Sequence, residues 1–327
     1  MSKIKHGQFF TEKNIFKNNL VFQSFMEKNN LLNEKILEPF AGTNNLIYFL
    51  QLKNKNINYE SYDIEPQNSK VVKNDSINNW NYDKDFKLVI TNPPYLSKHS
   101  AHRMKINVDF HNYDDLYKLS LDRCISNVRF TVAIIPTTLI CSNRKEDLKL
   151  LEKLIIFQLL PDRKNFDDTE HPVALAYFDN TKDDNKINFD LFENNVFVDE
   201  YNNLIKKESE ILIAKNKKNI KFNAQFGNIC INAGDNTKDK NNIKFLSSNW
   251  IKAEKVKNTD RHKVKILIEN TNISEQIIEE LNKKIKELRD NKCDYLWASF
   301  KGVSKTGHFR KRIDFKTIRR IINSIEF

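Results

Sequence analysis

The sequence predicts a doubly wound α/β domain with a mostly parallel sheet, followed by a smaller basic α+β domain. Over residues 1–180, short β-rich runs alternate with amphipathic segments. Several runs, such as VAII and ALAYF, are apolar throughout, which is typical of strands covered on both faces. After DNTKDDNK this pattern weakens and Lys and Arg become more frequent. We therefore expect a first domain over residues 1–180 and a second over residues 181–327.

The strands and helices of each domain follow from these runs. Strands are predicted at residues 35–38, 59–64, 86–91, 130–135, 154–160 and 173–178, with helices at 12–27 and 143–152 between them. In the second domain we expect a strand at residues 186–193 and an amphipathic helix at residues 274–291. Asp314 is a candidate N-cap for a last helix that buries Ile318, Ile321, Ile322 and Ile325. Strands that alternate with helices build a parallel sheet.

Charge is unevenly distributed along the chain. Lys and Arg number 54 against 43 Asp and Glu, which gives a net charge of +11. Residues 181–327 contribute 30 basic and 21 acidic residues, a net of +9. A basic half predicts a polyanionic partner, although a solvated lysine-rich surface has the same composition.

Cysteine spacing and the absence of long apolar runs narrow the class of protein further. Four cysteines lie far apart without a CxxC pair, so we expect reduced thiols and no metal site. The first residues lack the apolar core of a signal peptide, and no apolar run reaches the roughly 20 residues of a membrane span. We therefore expect a soluble cytoplasmic protein that does not act at a membrane.

The segment LVITNPPYL carries the clearest chemical signal. Asn92, Pro93, Pro94 and Tyr95 directly follow an apolar strand. An adenine amine is a weak nucleophile because its nitrogen lone pair is delocalised into the ring. The Asn92 side-chain oxygen and the Pro93 carbonyl can each accept one amine hydrogen, and two prolines restrict the backbone that holds them. Tyr95 would offer a ring face to an extruded base, whereas the structural alternative is a proline-rich turn.

A nucleoside cofactor site is predicted at the carboxyl ends of the preceding strands. KILEPFAGTNNLI is a strand, a small-residue turn and a helix, in which Ala41 and Gly42 permit close approach of the backbone to a ligand. Asp63 ends the next strand about 20 residues later, where a carboxylate can bind both ribose hydroxyls, with Ile64 beside the adenine ring. Asp75 is a candidate acceptor for the adenine amine. Either aspartate could instead be a turn or cap residue.

On these motifs the chain resembles the gamma class of DNA adenine-N6 methyltransferases, the Taq-type enzymes of restriction-modification systems. GQFFT, at residues 7–11, is similar to that family's N-terminal cofactor motif, EPFAGT follows it, and NPPY matches the catalytic motif in full. KNFDDTEHPVALAYF is similar to the later motif whose aromatic residue, Phe166 here, stacks against the flipped adenine. The resemblance covers about residues 6–180. It implies a Rossmann-like class I methyltransferase fold with a seven-stranded sheet.

The resemblance also implies an activity and a set of site residues. The enzyme would use S-adenosyl-L-methionine to methylate N6 of a flipped-out adenine in double-stranded DNA by direct displacement. The implied catalytic residues are Asn92, Pro93, Pro94, Tyr95 and Phe166. The implied cofactor-binding residues are Gln8, Phe9, Phe10, Thr11, Glu38, Pro39, Phe40, Ala41, Gly42, Thr43, Asp63, Ile64, Asp75, Ser76 and Asn92. Residues 1–180 would form the catalytic domain and residues 181–327 the target-recognition domain.

The same resemblance implies the setting in which the protein acts. It would be a nucleoid-associated monomer and the modification enzyme of a restriction-modification system, with an endonuclease acting separately, or a phage or solitary counterpart. The recognition sequence is left open, because the family's C-terminal domains diverge with the sequence that each one reads.

Two basic segments are candidate DNA contacts. LSKHSAHRMKIN, directly after NPPY, carries Lys98, Arg103 and Lys105, and such a loop could close over phosphates. SFKGVSKTGHFRKRIDF interleaves basic residues with aromatics and glycines, a composition that suits groove and phosphate contact. Its candidate contacts are Lys301, Lys305, Arg310, Lys311 and Arg312. Either segment could instead be ordinary solvated surface.

Asn44 departs from the family pattern, which usually has a second glycine at that position. Asn tolerates a left-handed backbone better than other non-glycine residues, so we expect the turn to survive with weaker cofactor binding. Two other functions stay open. NPPY also occurs in methyltransferases that act on a release-factor glutamine or on RNA, and Asn44 leaves open a DNA-binding protein that has lost catalysis. GQFFT and the basic second half favour the DNA-modifying enzyme.

Overall fold

The computed structural model describes residues 11–82, 85–160, 172–183, 186–238, 241–304 and 309–327, without the side chains of residues 299–303. It divides into two compact units, Met1–Tyr201 and Asn202–Phe327. The division falls after residue 201 rather than at residue 180, because two strands beyond residue 180 extend the first sheet. The two units differ in net charge. The first unit has 26 basic and 28 acidic residues, and the second has 28 basic and 15 acidic, a net of +13.

The first unit is the predicted α/β domain, and its sheet has nine strands among the described residues rather than seven. Its strands are β1 Ile36–Glu38, β2 Tyr59–Asp63, β3 Val72–Lys73, β4 Leu88–Thr91, β5 Phe130–Pro136, β6 Leu154–Leu160, β7 Val173–Asp179, β8 Asp190–Glu193 and β9 Val196–Glu200. Its helices are α1 Leu20–Lys28, α2 Asn45–Gln51, α3 Lys98–Arg103, α4 Leu116–Asn127 and α5 Lys145–Glu152. The strand order is β3-β2-β1-β4-β5-β7-β6-β8-β9.

The sheet is parallel from β3 to β5 and mixed beyond. β7 lies antiparallel to both β5 and β6, β8 is parallel to β6, and β9 is antiparallel to β8. In the parallel part the chain adds strands outward from β1 to β3, then returns to place β4 on the other side of β1. A doubly wound sheet leaves a crevice at such a switch point, outside the carboxyl ends of its strands.

Both faces of the parallel part are covered, as the apolar runs predicted. Alternate residues of a strand point to opposite faces. Ile36 and Leu88 belong to a core that also contains apolar residues of α1 and α2. Their neighbours Leu37 and Val89 belong to a second core that contains Cys124 of α4. The continuous apolar character of β1 and β4 therefore follows from burial on both sides.

Helix α1 begins eight residues later than the sequence predicted. Asn19 is its N-cap, and the Asn19 side chain accepts a hydrogen bond from the Phe22 amide at 2.9 Å. The same side chain exchanges hydrogen bonds with buried Gln158 of β6, at 3.1 and 2.9 Å. This pairing fixes the cap against the sheet, so the helix starts where the cap residue is held.

The second unit combines a four-stranded antiparallel sheet, a two-stranded sheet and three helices among its described residues. Its strands are β10 Ile220–Phe222, β11 Ile229–Asn232, β12 Lys244–Ser247, β13 Lys263–Ile268, β14 Ala298–Val303 and β15 Phe309–Arg312, and its helices are α6 Tyr201–Ile211, α7 Glu275–Asp290 and α8 Phe315–Asn323. The predicted inward residues of α7 and α8 pack in its core. Asp314 caps α8 by accepting from the Thr317 amide at 2.7 Å. Across the described chain, every helix is too short or too polar to cross a bilayer.

The four-stranded sheet, in the order β10-β13-β11-β12, contains a tight crossing. Phe222 at the end of β10 and Ile229 at the start of β11 both pair with Ile266 of β13, from its two sides. The short segment between them therefore passes over β13. Gly227 sits on the crossing, where an added Cβ would lie 2.6 Å from the Ile266 carbonyl oxygen.

We expect Gly227→Ala to destabilise the second unit, because the new methyl group meets backbone that cannot rotate away. Overpacking of this kind costs about 1 to 3 kcal/mol. The measurement is urea unfolding followed by a probe in the second unit. Phe226→Ala is the matched control, since this neighbouring side chain is 80% exposed and should change the free energy of unfolding by less than about 0.5 kcal/mol. Equal stability of Gly227→Ala and the wild type would contradict the crossing.

Candidate active site

A cavity of about 320 Å³ lies at the carboxyl ends of the strands that flank the switch point. It is lined by Thr11, Glu38, Phe40, Ala41, Gly42, Thr43, Asn45, Leu46, Asp63, Ile64, Asn74, Asp75, Ser76, Ile77, Asn78, Asn92, Pro94, Ile106, Asn107, Val108, Asp109 and Leu116. Among the predicted cofactor residues that the structure describes, all except Pro39 line this cavity. The geometry thus brings together motifs that lie up to 80 positions apart in the sequence.

The turn after β1 is held in a left-handed conformation at two residues. Gly42 has φ 51° and Asn44 has φ 66°. The Asn44 side-chain oxygen accepts a hydrogen bond from buried Ser61 at 2.8 Å, which stabilises a backbone conformation that costs most residues energy. The turn is tied to β2, because Ala41 donates to the Tyr62 carbonyl at 2.8 Å. Asn44 therefore adopts the left-handed backbone that this turn requires, in place of a glycine.

Two carboxylates enter the cavity from the ends of β2 and β3. Asp63 is buried, and its two oxygens accept from the backbone amides of Gly42 and Glu65 at 2.9 and 2.8 Å. Asp75 accepts from the side-chain amide of Asn78 at 2.8 Å. Asp63 thus holds the turn as well as facing the cavity, so it combines the turn role and the cavity position that the sequence had offered as alternatives.

Glu38 is the most deeply buried charged group of the cavity, with 1% of the residue exposed. Its Oε1 accepts from the Thr91 hydroxyl at 2.7 Å and from the Phe40 amide at 3.1 Å. Its Oε2 is buried and has no hydrogen-bond partner within the described part of the chain. Burial raises the pKa of Glu38 to about 8, the bonds from Thr91 and Phe40 oppose this rise, and the nearby Asp63 adds to it. The unpartnered oxygen suits a cation or hydrogen-bond donor of a bound ligand.

Asn92 follows directly on β4, and contacts on both sides fix its carboxamide. Its Nδ2 donates to the Thr11 hydroxyl at 3.3 Å. The Tyr95 hydroxyl lies 2.7 Å from Asn92 Oδ1 and 2.6 Å from the Ile134 carbonyl, so its single proton can be donated to either acceptor. These contacts hold the Asn92 carboxamide in one orientation at the end of β4.

Tyr95 does not line the cavity. Its ring is half-buried, packs against the core and lies 5.9 Å from the Tyr117 ring. The backbone after Tyr95 is held by Asp115, whose carboxylate accepts from the Leu96 amide at 3.2 Å. Burial raises the pKa of Asp115 to about 6, and bonds from the Tyr117 and Leu96 amides oppose the rise. The NPPY turn is therefore anchored through Asp115 as well as by its prolines.

The segment after NPPY has an exposed basic part and a part that lines the cavity. Lys98, Arg103 and Lys105 are exposed on or just after α3, where they remain available to phosphates. The following residues, 106–109, line the cavity instead. Sequence reasoning missed this second role. The alternation of apolar Ile106 and Val108 with polar residues was the available signal.

The basic run near the C-terminus is not a simple row of surface charges. Lys311 is 5% exposed, with its ammonium over the rings of Tyr295 at 4.8 Å and Phe309 at 5.7 Å. We predicted Lys311 as a phosphate contact, and its burial argues against this role, because an enclosed ammonium cannot reach DNA. Arg310 and Arg312 are half-buried. Gln8, Phe9, Phe10, Phe166, Lys305 and the side chain of Lys301 lie outside the described residues.

Comparisons with known proteins align part of the chain with solved structures and identify no family. No family model and no curated protein matches the sequence. A solved structure named as a class I S-adenosylmethionine-dependent methyltransferase from Listeria monocytogenes is 13% identical over 54% of this chain and 64% of its own, with a TM-score of 0.39.

Two restriction-modification proteins give similar values. A modification subunit of a type I restriction enzyme from Vibrio vulnificus YJ016 is 13% identical over 57% of this chain and 47% of its own, with a TM-score of 0.40. The type IIG restriction endonuclease BpuSI is 15% identical over 56% and 27%, with a TM-score of 0.39. The alignments thus span less than two thirds of these proteins, and the function must be argued from the site.

Glu38→Gln should make the first unit's stability less dependent on pH. The folded pKa of Glu38, about 8, lies above the ordinary glutamate value of 4.5. The folded state therefore holds the proton more tightly, and the stability it contributes is fully present below pH 4.5 and is lost as pH rises to 8. We expect the variant to gain stability over the wild type by about 1.4 kcal/mol per pH unit within this window.

The measurement is urea unfolding of both proteins at several pH values from 4.5 to 9. Glu27→Gln, which removes an exposed carboxylate on α1, is the control and should leave a constant difference from the wild type. A constant difference for Glu38→Gln as well would show that Glu38 is ionised normally in the folded protein.

Proposed function

We propose that this protein is an S-adenosylmethionine-dependent methyltransferase that methylates the N6 amine of adenine in duplex DNA. Asn92 is the observation that carries the proposal. Its carboxamide follows β4 at the switch point, is fixed by Thr11 and Tyr95, and lines the cavity that also contains Glu38. A carboxamide acceptor beside a nucleoside-sized cavity fits transfer to an exocyclic amine.

The cavity fits the proposed cofactor. When bound, S-adenosylmethionine would supply a methyl group carried on a sulfonium, whose sulfur–carbon bond would break as the acceptor nitrogen bonds to the methyl carbon. Glu38 Oε2, buried without a partner among the described residues, would accept from the cofactor's ammonium group. Asp63 would accept from the ribose hydroxyls, and Asp75 from the adenine amine. The left-handed backbone at Gly42 and Asn44 would give the turn a conformation that leaves room for the ligand.

In the proposed reaction, Asn92 and Pro93 act on the target amine. Asn92 Oδ1 and the Pro93 carbonyl would each accept one N6 hydrogen, which draws the lone pair away from the ring and orients it toward the methyl carbon. No base is needed before transfer, because the N6 proton becomes acidic once the nitrogen carries positive charge. Phe166 is the proposed stacking partner of the flipped base. Tyr95, whose ring packs against the core, would instead act by fixing Asn92 through its hydroxyl.

Two observations favour this function over the alternatives. The second unit carries a net charge of +13, which suits a polyanion better than a release-factor glutamine. Asn44, the residue that raised the possibility of lost catalysis, adopts the left-handed conformation that the turn requires. RNA stays an alternative substrate, and labelling of DNA and RNA in separate reactions distinguishes the two.

Asn92→Ala should retain cofactor and DNA binding but lose methyl transfer by roughly a thousandfold. The deleted oxygen is needed chiefly as N6 gains positive charge, and such preorganised contacts are worth about 3 to 4 kcal/mol in the transition state. The measurement is single-turnover transfer of a labelled methyl group to duplex DNA at saturating cofactor, with cofactor affinity measured by calorimetry.

Asn78→Ala is the matched control, because it removes another amide that lines the same cavity beside Asp75. It should raise the Michaelis constant for the cofactor and leave the rate at saturation within about twofold of the wild type. Near-normal turnover of Asn92→Ala would contradict the proposed mechanism.

A further inference from the structure

The basic residues of the second unit fall into two groups. One group is paired with carboxylates. Its pairs are Lys206 with Glu210, Lys215 with Glu326, Lys221 with Glu269, Lys284 with Glu287, Lys286 with Asp290, Arg289 with Asp235 and Arg320 with Glu208. Among the other basic residues of this unit, Lys244, Arg261 and Lys263 are exposed, and none of these three has a carboxylate within salt-bridge distance in the part of the chain that the structure describes.

The register of the sheet places two of these lysines in one row. Asn232 of β11 pairs with Lys244 of β12 on one side and with Lys263 of β13 on the other. Directly paired residues point to the same face of a sheet. Lys244 and Lys263 therefore share a face, about 10 Å apart across two strand spacings. The opposite face is apolar, because Phe245 and Val264 are buried in the core that packs against α7 and α8.

An aromatic ring and a guanidinium group accompany this row. Trp250 is 39% exposed, and the Lys263 ammonium lies 5.9 Å from its ring centre. The segment that carries Trp250 is fixed by buried Lys265, which donates to the Ile251 carbonyl at 2.9 Å. Exposed Arg261 lies two residues before Lys263 in the chain. Like charges grouped in this way favour an anionic ligand.

We propose that the face formed by Lys244, Lys263, Arg261 and Trp250, here called the basic face, binds the phosphate backbone of duplex DNA. Duplex DNA carries one charge per about 1.7 Å of its axis, so lysines about 10 Å apart can each meet a phosphate. The choice of duplex DNA as the polyanion rests on the proposed function. The sequence predicted Lys311 as a phosphate contact. Because Lys311 is buried, we assign phosphate binding to the basic face instead.

The test is a titration of the full chain, without cofactor, against a fluorescently labelled duplex of mixed sequence at salt concentrations from about 50 to 200 mM. Lys244→Gln combined with Lys263→Gln should lower the slope of log affinity against log salt by about 1.8, or 0.9 per lost phosphate contact. The same relation predicts a loss of affinity of about 30-fold at 150 mM salt. Both residues are exposed, so the variant should fold normally.

Lys284→Gln combined with Lys286→Gln is the control, because it removes the same charge from α7, where both ammonium groups are paired. It should change the affinity for the duplex by less than about twofold, because exposed charges that are already paired and screened by salt contribute little. An unchanged slope for the basic-face variant, or an equal loss in the control, would overturn the proposal. Tighter binding of single-stranded RNA than of the duplex would overturn the assignment to DNA.

This experiment separates the basic face from the proposed reaction. Loss of binding in the basic-face variant, together with no methyl transfer to adenine by the wild type, would support the face and contradict the reaction. Methyl transfer to adenine with unaltered DNA affinity in the variant would contradict the face alone.

Discussion

The reversal in strand order between β1 and β4 is the constraint on which the candidate site depends. The chain builds β1, β2 and β3 outward in one direction and then returns to add β4 on the opposite side of β1. The loops after β1 and β4 consequently diverge and leave a crevice between them. Buried Glu38 ties the two strand ends together by accepting from Thr91. Placing a charged group there is costly, and the high pKa of Glu38 reflects this cost.

Much of the α/β fold could be predicted because its strands are apolar on both faces. Runs such as the one around Val132 need no pairing information to be recognised as buried strands. The cavity residues after β1, β2 and β4 could also be predicted, since motif order places them at one sheet edge. The start of α1 could not, because it depends on a hydrogen bond between Asn19 and Gln158, which are 139 positions apart. The strand predicted at residues 186–193 is present as β8, but it extends the first sheet instead of belonging to the second domain. β9 is short and half-exposed, so its sequence gives little signal.

Charged side chains were predicted less well than strands, for a physical reason. Lys and Arg carry long apolar stems, so a basic residue can be buried against aromatics or exposed to solvent with the same sequence signature. Lys311 alternates inward on β15 and is enclosed by Tyr295 and Phe309. Lys244 and Lys263 belong to one face only through their common pairing with Asn232, which requires the register of three strands.

In the proposed reaction, the protein transfers a methyl group to N6 of adenine in duplex DNA at this cavity. The most direct measurement is incubation of the protein with cofactor labelled in its methyl group and with duplex DNA, structured RNA and a glutamine-containing peptide in separate reactions. The labelled product would then be digested and identified by chromatography. The proposed function predicts label in N6-methyladenine from the duplex, and its loss with Asn92→Ala. Label in another base, in RNA or in the peptide, with none in adenine of the duplex, would contradict it.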